Sequence, residues 1–259
     1  MADLNLIRVE NRSERLVHVI LDRPPANALS LELMEELDQV AAQLEAGEAQ
    51  VVILRSAAKM FMAGADLNMV NQGWDSLRAT IKQCQHLMNR WEALPMMTVA
   101  VINGHAAGAG CELSLATDWR VMARGRPRIG LPEVLRGLLP GAGGTQRMSR
   151  LIGRGRALDL CLRGRLIDAD EAEQVGLISE AVDADALDDR VEEFTEELLA
   201  LPRLPTQAIK RCILGGLESS FVDGLQIEEN EMTGLGDTED TREGVQAFIE
   251  KREPRFVGR

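Results

Sequence analysis

The sequence predicts an α/β protein with covered sheets, followed by a helical C-terminal part. Short apolar runs rich in β-branched residues recur through residue 182, and several are followed by a loop of small residues and an amphipathic helical pattern. Strand, loop and helix recurring in this order favour a sheet that is covered by helices. A chain of 259 residues can bury a large core without disulfide bonds or metals.

The N-terminal part is predicted to form two strands, a helix and a third strand. Residues 4–9 and 16–21 are apolar runs separated by a polar turn, and residues 51–54 are a continuous apolar run that suits a strand buried on both faces. Ser30 is a typical N-cap for the helix between them, and Gly47 is a typical end. The apolar stripe of this helix is Leu33, Leu37, Val40 and Leu44.

The middle of the chain repeats this order, with strands predicted at residues 99–102 and 119–123. A long helix is predicted after the small-residue loop at residues 62–66, and a shorter one over about residues 109–117. Pro95 closes the long helix. Its apolar stripe is Leu77, Ile81, Cys84, Met88 and Trp91.

From about residue 154 the pattern is mostly helical, with one further strand around residues 177–182. An acidic helix carries the apolar stripe Leu187, Val191, Phe194 and Leu198. Pro202 and Pro205 interrupt the pattern before further helices that extend to residue 252. We therefore predict a core of residues 1–200 and a helical C-terminal region of residues 201–259, whose apolar stripe is expected to pack on another subunit.

The composition excludes several mechanisms. The sequence has no tyrosine, which excludes a tyrosine acid or nucleophile. It has neither a G-x-S-x-G elbow nor a G-x-x-x-x-G-K-S/T loop, which excludes the usual serine hydrolases and P-loop enzymes. The cysteine spacing fits neither a zinc module nor a disulfide framework, so we expect reduced, mostly buried thiols and no metal site. The cysteines are Cys84, Cys111, Cys161 and Cys212.

The apolar runs and the charge pattern limit the partners. No apolar run approaches the about 18 residues of a membrane span, and the N-terminus resembles no signal segment, so we expect a cytoplasmic protein with no membrane partner. The net charge of −12 disfavours nucleic acid. Residues 120–165 nevertheless carry eleven arginines and two acids, a local charge of +9. Residues 180–197 carry nine acids and one arginine, a local charge of −8. The acidic run is expected to be a solvated face, and the basic segment is a candidate for attracting a phosphorylated small molecule.

Two loops of small residues follow apolar strands, where α/β proteins commonly bind ligands. The short side chains of residues 62–66 would let a ligand reach the backbone amides, and residues 103–110 lead into a helix start with free N–H groups. Two such donors would stabilise one developing oxyanion, an arrangement used in acyl-group chemistry. Close packing alone is the alternative for either loop. The glycines of the second loop also resemble the nucleotide loop of short-chain dehydrogenases, but those enzymes place it after the first strand and need a tyrosine.

Two glutamates are candidate catalytic acids and bases. Glu112 lies three residues after Ala109, so both lie on one face of a largely apolar helix, where burial would raise the pKa of the carboxyl. Glu133 lies in the basic segment, after Pro132 at a predicted helix start. A favourable place in a first helical turn is the alternative role for each glutamate. Two carboxyls of unequal pKa are what general acid and base catalysis requires.

Five segments, in this order and at this spacing, resemble the enoyl-CoA hydratase/isomerase family, also called the crotonase family. They are RPPANAL, FMAGADL, AVINGHAAGAGCELSLATD, GLPEVLRGLLPGAGGTQRMSRLIG and FIEKREPRFVGR, and they cover nearly the whole chain. The resemblance implies a crotonase-like spiral of ββα units with a helical C-terminal oligomerisation region. It also implies homotrimers that usually pair into homohexamers.

The resemblance implies roles for residues at the matching positions. The N–H groups of Ala63 and Ala109 would form an oxyanion hole, and Glu112 and Glu133 would be the two catalytic glutamates. Coenzyme A enters as part of the thioester substrate, and no metal or redox cofactor is implied. The residues implied in substrate or coenzyme A binding are Arg23, Ala26, Ala28, Ala63, Gly64, Ala65, Asp66, Leu67, Lys251 and Phe256.

The expected reaction is the hydration of a 2-enoyl-CoA thioester. Glu112 would activate a water for attack at C3, and Glu133, held protonated, would deliver a proton to C2. A double-bond isomerase, which typically uses one acid, is the alternative within the family. A non-catalytic scaffold or an RNA-binding relative that uses the arginine segment is the alternative from a different class.

Three positions depart from the usual pattern of the family. Ala109 stands where many relatives have glycine, Asn68 stands where several hydratases have lysine, and residues 124–128 form a longer and more basic segment. None of these departures removes a catalytic group. Residues 71–97 are expected to shape the acyl pocket.

Overall fold

The computed structural model describes residues 4–66 and 74–259 of the chain. Its strands are β1 (Ile7–Asn11), β2 (Leu16–Leu21), β3 (Val51–Ser56), β4 (Met97–Ile102), β5 (Ala106–Ala107), β6 (Trp119–Ala123), β7 (Ile129–Gly130), β8 (Leu166–Ile167) and β9 (Glu180–Val182). In this described part, one sheet has the order β1-β2-β3-β4-β6-β9 and a smaller sheet has the order β5-β7-β8. β1 pairs antiparallel with β2, whereas the pairs β2 with β3, β4 with β6 and β6 with β9 are parallel.

The helices lie between and after these strands. They are α1 (Leu31–Glu45), α2 (Trp74–Glu92), α3 (Ala109–Leu115), α4 (Gly144–Ile152), α5 (Arg154–Arg163), α6 (Ala169–Val175), α7 (Leu187–Leu199), α8 (Arg203–Leu217), α9 (Phe221–Leu235) and α10 (Glu239–Glu250). A 3-10 helix covers Glu133–Arg136. Among the described residues, every helix is too short or too polar to be a membrane-spanning segment.

The described residues group into two compact units. Among the described residues, the first unit is formed by residues 4–66, 74–94 and 98–192 and contains the sheets apart from Met97. The second unit comprises Pro95–Met97 and Glu193–Arg259 and is formed mainly by α8, α9 and α10. The division falls within α7, a few residues before the predicted boundary at residue 201.

The predicted α/β class is confirmed, and two predicted strands coincide with β2 and β6. The sequence does not predict β5, β7 and β8, because each has two residues and therefore no readable periodicity. The interruption expected at Pro205 is wrong. Pro205 lies in the first turn of α8, where a proline is tolerated because no intrahelical N–H bond is required there.

The predicted apolar stripes form the core. In α1 the hydroxyl of Ser30 accepts a hydrogen bond from Leu33 N–H at 3.3 Å, which is the expected N-cap, and all four predicted stripe residues are buried. In α2 the residues Cys84, Met88 and Trp91 are buried, whereas the earlier stripe residues are half-buried. All four cysteines are free thiols, of which Cys84 and Cys111 are buried.

Asn27 joins the loop after β2 to the segment that follows β3. Its side chain is fully buried, and its Oδ1 accepts a hydrogen bond from Arg23 N–H at 2.8 Å. Its Nδ2 donates to Ser56 Oγ at 2.7 Å and to the carbonyls of Phe61 and Met60 at 3.0 and 3.2 Å. Its φ of 51° lies in the left-handed region, which asparagine adopts more readily than most residues. Asn27 therefore fixes the backbone just before residues 62–66 against the loop after β2.

Asn27→Ala is expected to lower the free energy of unfolding by about 2–4 kcal/mol, because it leaves several buried polar groups without a partner. Urea unfolding followed by circular dichroism would measure this loss. Asn11→Ala is the matched control, since Asn11 is exposed at the end of β1. Equal unfolding free energies for the two variants would contradict the role assigned to Asn27.

Candidate active site

Three loops lie side by side in the first unit. Met62 N–H donates to the carbonyl of His105 at 3.1 Å, and Ala107 N–H donates to the carbonyl of Met62 at 3.0 Å. On the other side, Leu29 N–H donates to the carbonyl of Gly64 at 2.8 Å. The small-residue loop at residues 62–66 is therefore held between the loop after β2 and the loop after β4.

This pairing decides which N–H groups are free. Ala63 N–H donates to the carbonyl of Ala26 at 3.0 Å, so the donor expected from the sequence is already engaged. The N–H groups of Ala65 and Ala109 have no hydrogen-bond partner among the described residues. A Cβ on Gly64 would lie 3.9 Å from Ala109 N, so the two free amides belong to adjacent segments. The two neighbouring free donors are therefore the N–H groups of Ala65 and Ala109, whereas the N–H of Ala63 is engaged.

Gly108 allows the second loop to approach the first. Its φ and ψ are 56° and −122°, a conformation that favours glycine. A Cβ at this position would lie 2.9 Å from Glu133 Oε1 and 3.6 Å from Gly64 Cα. Ala109 follows as the first residue of α3, and the positive φ falls on Gly108 rather than on Ala109. The alanine at position 109 therefore costs no backbone strain.

Glu112 lies on α3 with 3% of its surface exposed. Its Oε1 accepts hydrogen bonds from the N–H groups of Ala142 and Gly144 at 2.8 and 2.9 Å. Burial raises the pKa of Glu112, while these two N–H groups and the positive charge of Arg147 oppose the rise. Because its partners lie in a distant loop, Glu112 does not serve as a cap of its own helix.

Glu133 is the first residue of the 3-10 helix and is half-buried. Within the described ranges its buried Oε2 has no hydrogen-bond partner. Burial raises the pKa of Glu133 to about 7, and the negative charge of Glu112 adds to the rise. A carboxyl with this pKa exchanges its proton near neutral pH, as a general acid must.

The residues predicted to bind coenzyme A fall into three groups. Arg23 forms an ion pair with Asp66 at 3.0 Å and donates to the carbonyl of Ala28 at 2.9 Å, so it ties together two of the three loops. Ala26 accepts Ala63 N–H from the loop of residues 62–66, to which Gly64 and Ala65 also belong. Leu67 and Asn68 lie outside the described residues, as does part of the region predicted to shape the acyl pocket. Lys251 and Phe256 belong to the second unit, and their role stays a prediction.

Part of the basic segment is used inside the protein. Arg120 is 5% exposed and donates to the carbonyls of Leu177 and Thr117 at 2.9 and 2.6 Å. Arg124 forms ion pairs with Asp170 and Asp183 at 2.8 and 3.3 Å. These internal partners weaken the hypothesis that the whole segment attracts phosphate.

The sequence did not predict the partners of Glu112. Ala142 and Gly144 lie in one of the five segments that resemble the family, and that segment alone does not point to Glu112. The one hint in the sequence is the glycine at position 144. A residue without a Cβ is needed there, because a Cβ would lie 2.9 Å from Glu112 Oε1. In the described part of the chain, no group of three or more His, Cys, Asp or Glu residues could hold a metal ion.

Comparisons with known proteins agree with this fold and site. Residues 11–259 match the model of the enoyl-CoA hydratase/isomerase family. The chain is 36% identical over 257 residues to 2,3-dehydroadipyl-CoA hydratase of Escherichia coli, covering 97% of this chain and 98% of the relative. It is 34% identical over 253 residues to the enoyl-CoA isomerase/hydratase fer4 of Mycosarcoma maydis, covering 93% and 92%.

Solved structures show the same fold. The crystal structure of enoyl-CoA hydratase from Bacillus anthracis superimposes with a TM-score of 0.92 at 37% identity, covering 98% of this chain and all of that chain. The fold and the site thus define an enzyme with the crotonase fold. The chain belongs to the enoyl-CoA hydratase/isomerase family, whose members act on acyl-CoA substrates.

Proposed function

We propose that this enzyme hydrates the C2–C3 double bond of a 2-enoyl-CoA thioester. The observation that carries the proposal is the arrangement of two carboxyls with raised pKa values, Glu112 and Glu133, next to two free backbone N–H groups. The relatives named as hydratases support the same reaction.

The thioester carbonyl oxygen would bind between the N–H groups of Ala65 and Ala109. Attack at C3 moves negative charge onto this oxygen, so the two donors bind the transition state more tightly than the ground state. Removing one such donor from an oxyanion hole costs about 3–4 kcal/mol in other enzymes. The Ala65 donor is proposed because the N–H of Ala63 is engaged by Ala26.

The two glutamates would divide the proton transfers. Glu112 accepts a proton from a water, and the resulting hydroxide oxygen forms the bond to C3. Glu133 gives its proton to C2, so one water is added across the double bond. The N–H groups of Ala142 and Gly144 stabilise the carboxylate form of Glu112. In the described part of the chain the buried Oε2 of Glu133 has no hydrogen-bond donor, and burial favours the protonated form of this carboxyl. This chemistry requires neither a metal nor a redox cofactor, which stays a prediction.

Isomerisation of a 3-enoyl-CoA is the second candidate function. The Mycosarcoma maydis relative is named as both an isomerase and a hydratase. Glu133 alone would serve this reaction by moving one proton between C4 and C2, because its Oε1 lies 2.9 Å from the position of a Cβ on Gly108, the residue before the proposed donor Ala109.

The test is turnover of 2-enoyl-CoA thioesters of increasing chain length. Loss of the enoyl-thioester absorbance, with label from isotopically labelled water appearing at C3, is the expected result. Incubation with 3-enoyl-CoA distinguishes the isomerase, since that reaction incorporates no oxygen. Absence of hydration for every thioester would contradict the proposed function.

The pH dependence follows from the two carboxyls. We expect kcat/KM for hydration to fall as the pH rises above about 7, because Glu133 then loses the proton that it must deliver. At acid pH kcat/KM also falls, because Glu112 must be ionised. Since burial raises the pKa of Glu112, this fall begins at a higher pH than for an ordinary carboxyl. The two apparent pKa values of this pH profile belong to the interacting pair of carboxyls, not to either glutamate alone. A rate that does not change across neutral pH would contradict the assignment of Glu133 as the acid.

Self-association is proposed for the second unit. Large apolar side chains on its three helices are exposed in the single chain: Ile209, Ile213, Leu217, Phe221, Val222, Leu225, Met232, Val245, Phe248 and Ile249. Exposed apolar surface on this scale is typical of an interface. Sedimentation equilibrium would test the predicted homotrimer or homohexamer. Coenzyme A binding by Lys251 and Phe256, and a cytoplasmic location, stay predictions from the sequence.

A further inference from the structure

Arg147 is connected to Glu112 through one residue. Arg147 lies in the first half of α4, and its Nη1 donates to the carbonyl of Ala142 at 3.1 Å. The N–H of the same Ala142 donates to Glu112 Oε1 at 2.8 Å. The guanidinium and the carboxylate therefore hold opposite ends of one peptide segment.

The other side of the guanidinium is anchored on α2. Arg147 Nε and Nη2 donate to Glu92 Oε2 at 3.1 and 2.7 Å, and Nη2 also donates to Asn89 Oδ1 at 2.7 Å. The Arg147 side chain is 10% exposed and that of Glu92 is 31% exposed, so the guanidinium end of this ion pair is buried. A second link from α2 is the bond from Gln85 Nε2 to the carbonyl of Gly141 at 2.9 Å.

The loop backbone is shaped around the guanidinium. Gly143 has a φ of 101°, and a Cβ at this position would overlap Arg147 Nη1. The carbonyl of Gly143 accepts the backbone N–H of Arg147 at 2.9 Å. Side chain and backbone of Arg147 thus both hold the segment that presents the N–H groups of Ala142 and Gly144 to Glu112.

We propose that Arg147 is a positioning residue, which fixes the Ala142 and Gly144 N–H groups around Glu112 and supplies the positive charge that acts on its carboxylate. This inference rests on the proposed hydration, in which Glu112 must be ionised. Arg147 acts through Glu112 and needs no contact with the substrate.

The other titratable groups that interact with Glu112 supply no positive charge. They are Cys84 on α2, Cys111 on α3, Cys161 on α5 and Glu133 on the 3-10 helix. Burial raises the pKa of each thiol, to about 12 for Cys84, so these cysteines stay neutral at working pH. Among the described residues, Arg147 is the cation that opposes the raised pKa of Glu112.

The main test compares Arg147→Gln with Arg147→Lys. Arg147→Gln is expected to lower kcat for hydration by about 10–100-fold, because displacement of a reacting group by about 1 Å costs up to that factor. KM should change little, and the acid limb of the pH profile should move to higher pH because Glu112 loses the charge that favours ionisation. Arg147→Lys retains the charge but not the forked hydrogen bonds, so it should keep the acid limb and lose part of kcat.

Two further variants separate positioning from general stability. Arg150→Gln is the matched control, because Arg150 lies on the same helix, is exposed and bonds only to Gln146 in the described part of the chain. It should leave kcat and the pH profile unchanged. Glu92→Gln keeps Arg147 but weakens its anchor, and should lower kcat less than Arg147→Gln does.

A spectroscopic titration makes the test independent of turnover. The infrared carboxyl band that disappears in Glu112→Gln reports ionisation of Glu112, and its midpoint should lie at higher pH in Arg147→Gln than in the unchanged protein. An unshifted midpoint in folded Arg147→Gln, or a kcat within twofold of the unchanged protein, would overturn the proposal. Failure of the unchanged protein to hydrate any enoyl thioester would instead contradict the proposed function, and the infrared titration would still decide the role of Arg147.

Discussion

Glu112→Gln and Glu133→Gln are each expected to slow hydration of a 2-enoyl-CoA thioester by about 10²–10⁴-fold. Glutamine in place of Glu112 still accepts the N–H groups of Ala142 and Gly144, so the loop stays in place, but it takes no proton from water. Glutamine in place of Glu133 has no acidic proton to give to C2. Steady-state hydration rates, measured at the optimum pH of the unchanged protein, check both expectations.

Glu36→Gln is the matched control for this experiment. Glu36 is also a buried glutamate on a helix, and its two oxygens accept the N–H groups of Asn5 and Leu6 at 2.8 and 2.9 Å. It takes no part in the proposed chemistry, so Glu36→Gln should keep full activity. Full activity in either catalytic-site variant would contradict the two-carboxylate mechanism.

The double variant adds a further criterion. If both carboxyls act in one step, the fold-loss of hydration rate in the double variant, which carries Glu112→Gln and Glu133→Gln, should be much smaller than the product of the two single fold-losses. If Glu112→Gln instead loses hydration but still converts 3-enoyl-CoA, then Glu133 suffices for proton transfer and the isomerase is the better description.

Gly108→Ala is expected to lower hydration activity by about 10²–10³-fold, the loss typical of a damaged oxyanion hole. The positive φ costs an alanine about 1–3 kcal/mol. Its Cβ would also lie 2.9 Å from Glu133 Oε1, so either this carboxyl or the adjacent Ala109 N–H must move. Activity measurements and urea unfolding on the same preparation would separate the catalytic loss from the loss of stability.

Gly125→Ala separates backbone strain from the steric clash. Gly125 has a φ of 99°, but a Cβ there would meet nothing within 4 Å. This control should lose stability comparable to Gly108→Ala and keep hydration activity. Equal stability losses together with full activity in Gly108→Ala would show that the close approach of Gly108 and Glu133 does not matter for catalysis.

Much of the fold was predictable because it depends on local periodicity. The four-residue stripe of α1 and its Ser30 cap are local patterns, and both are observed. The short strands β5, β7 and β8 were not predictable, because two residues show no periodicity and only pairing with distant parts of the chain makes them strands. The free donor at Ala65 was missed for a related reason. Successive N–H groups of an extended segment point in opposite directions, so the bond from Asp66 N–H to the carbonyl of Leu29 leaves Ala65 N–H facing the other side, while Ala63 N–H is engaged by Ala26.

The chain alone determined the class of the fold, the order of its main elements and the two candidate glutamates. Apolar periodicity and short motifs involve residues that are close together in the chain, which is why these features could be inferred. Tertiary structure alone decided that Glu112 binds two N–H groups from residues 142 and 144, that burial raises the pKa of Glu133 to about 7, and that Arg147 bridges α2 to this loop. Burial and charge act through space, so N–H groups 30 and 32 residues away along the chain set the chemistry of Glu112.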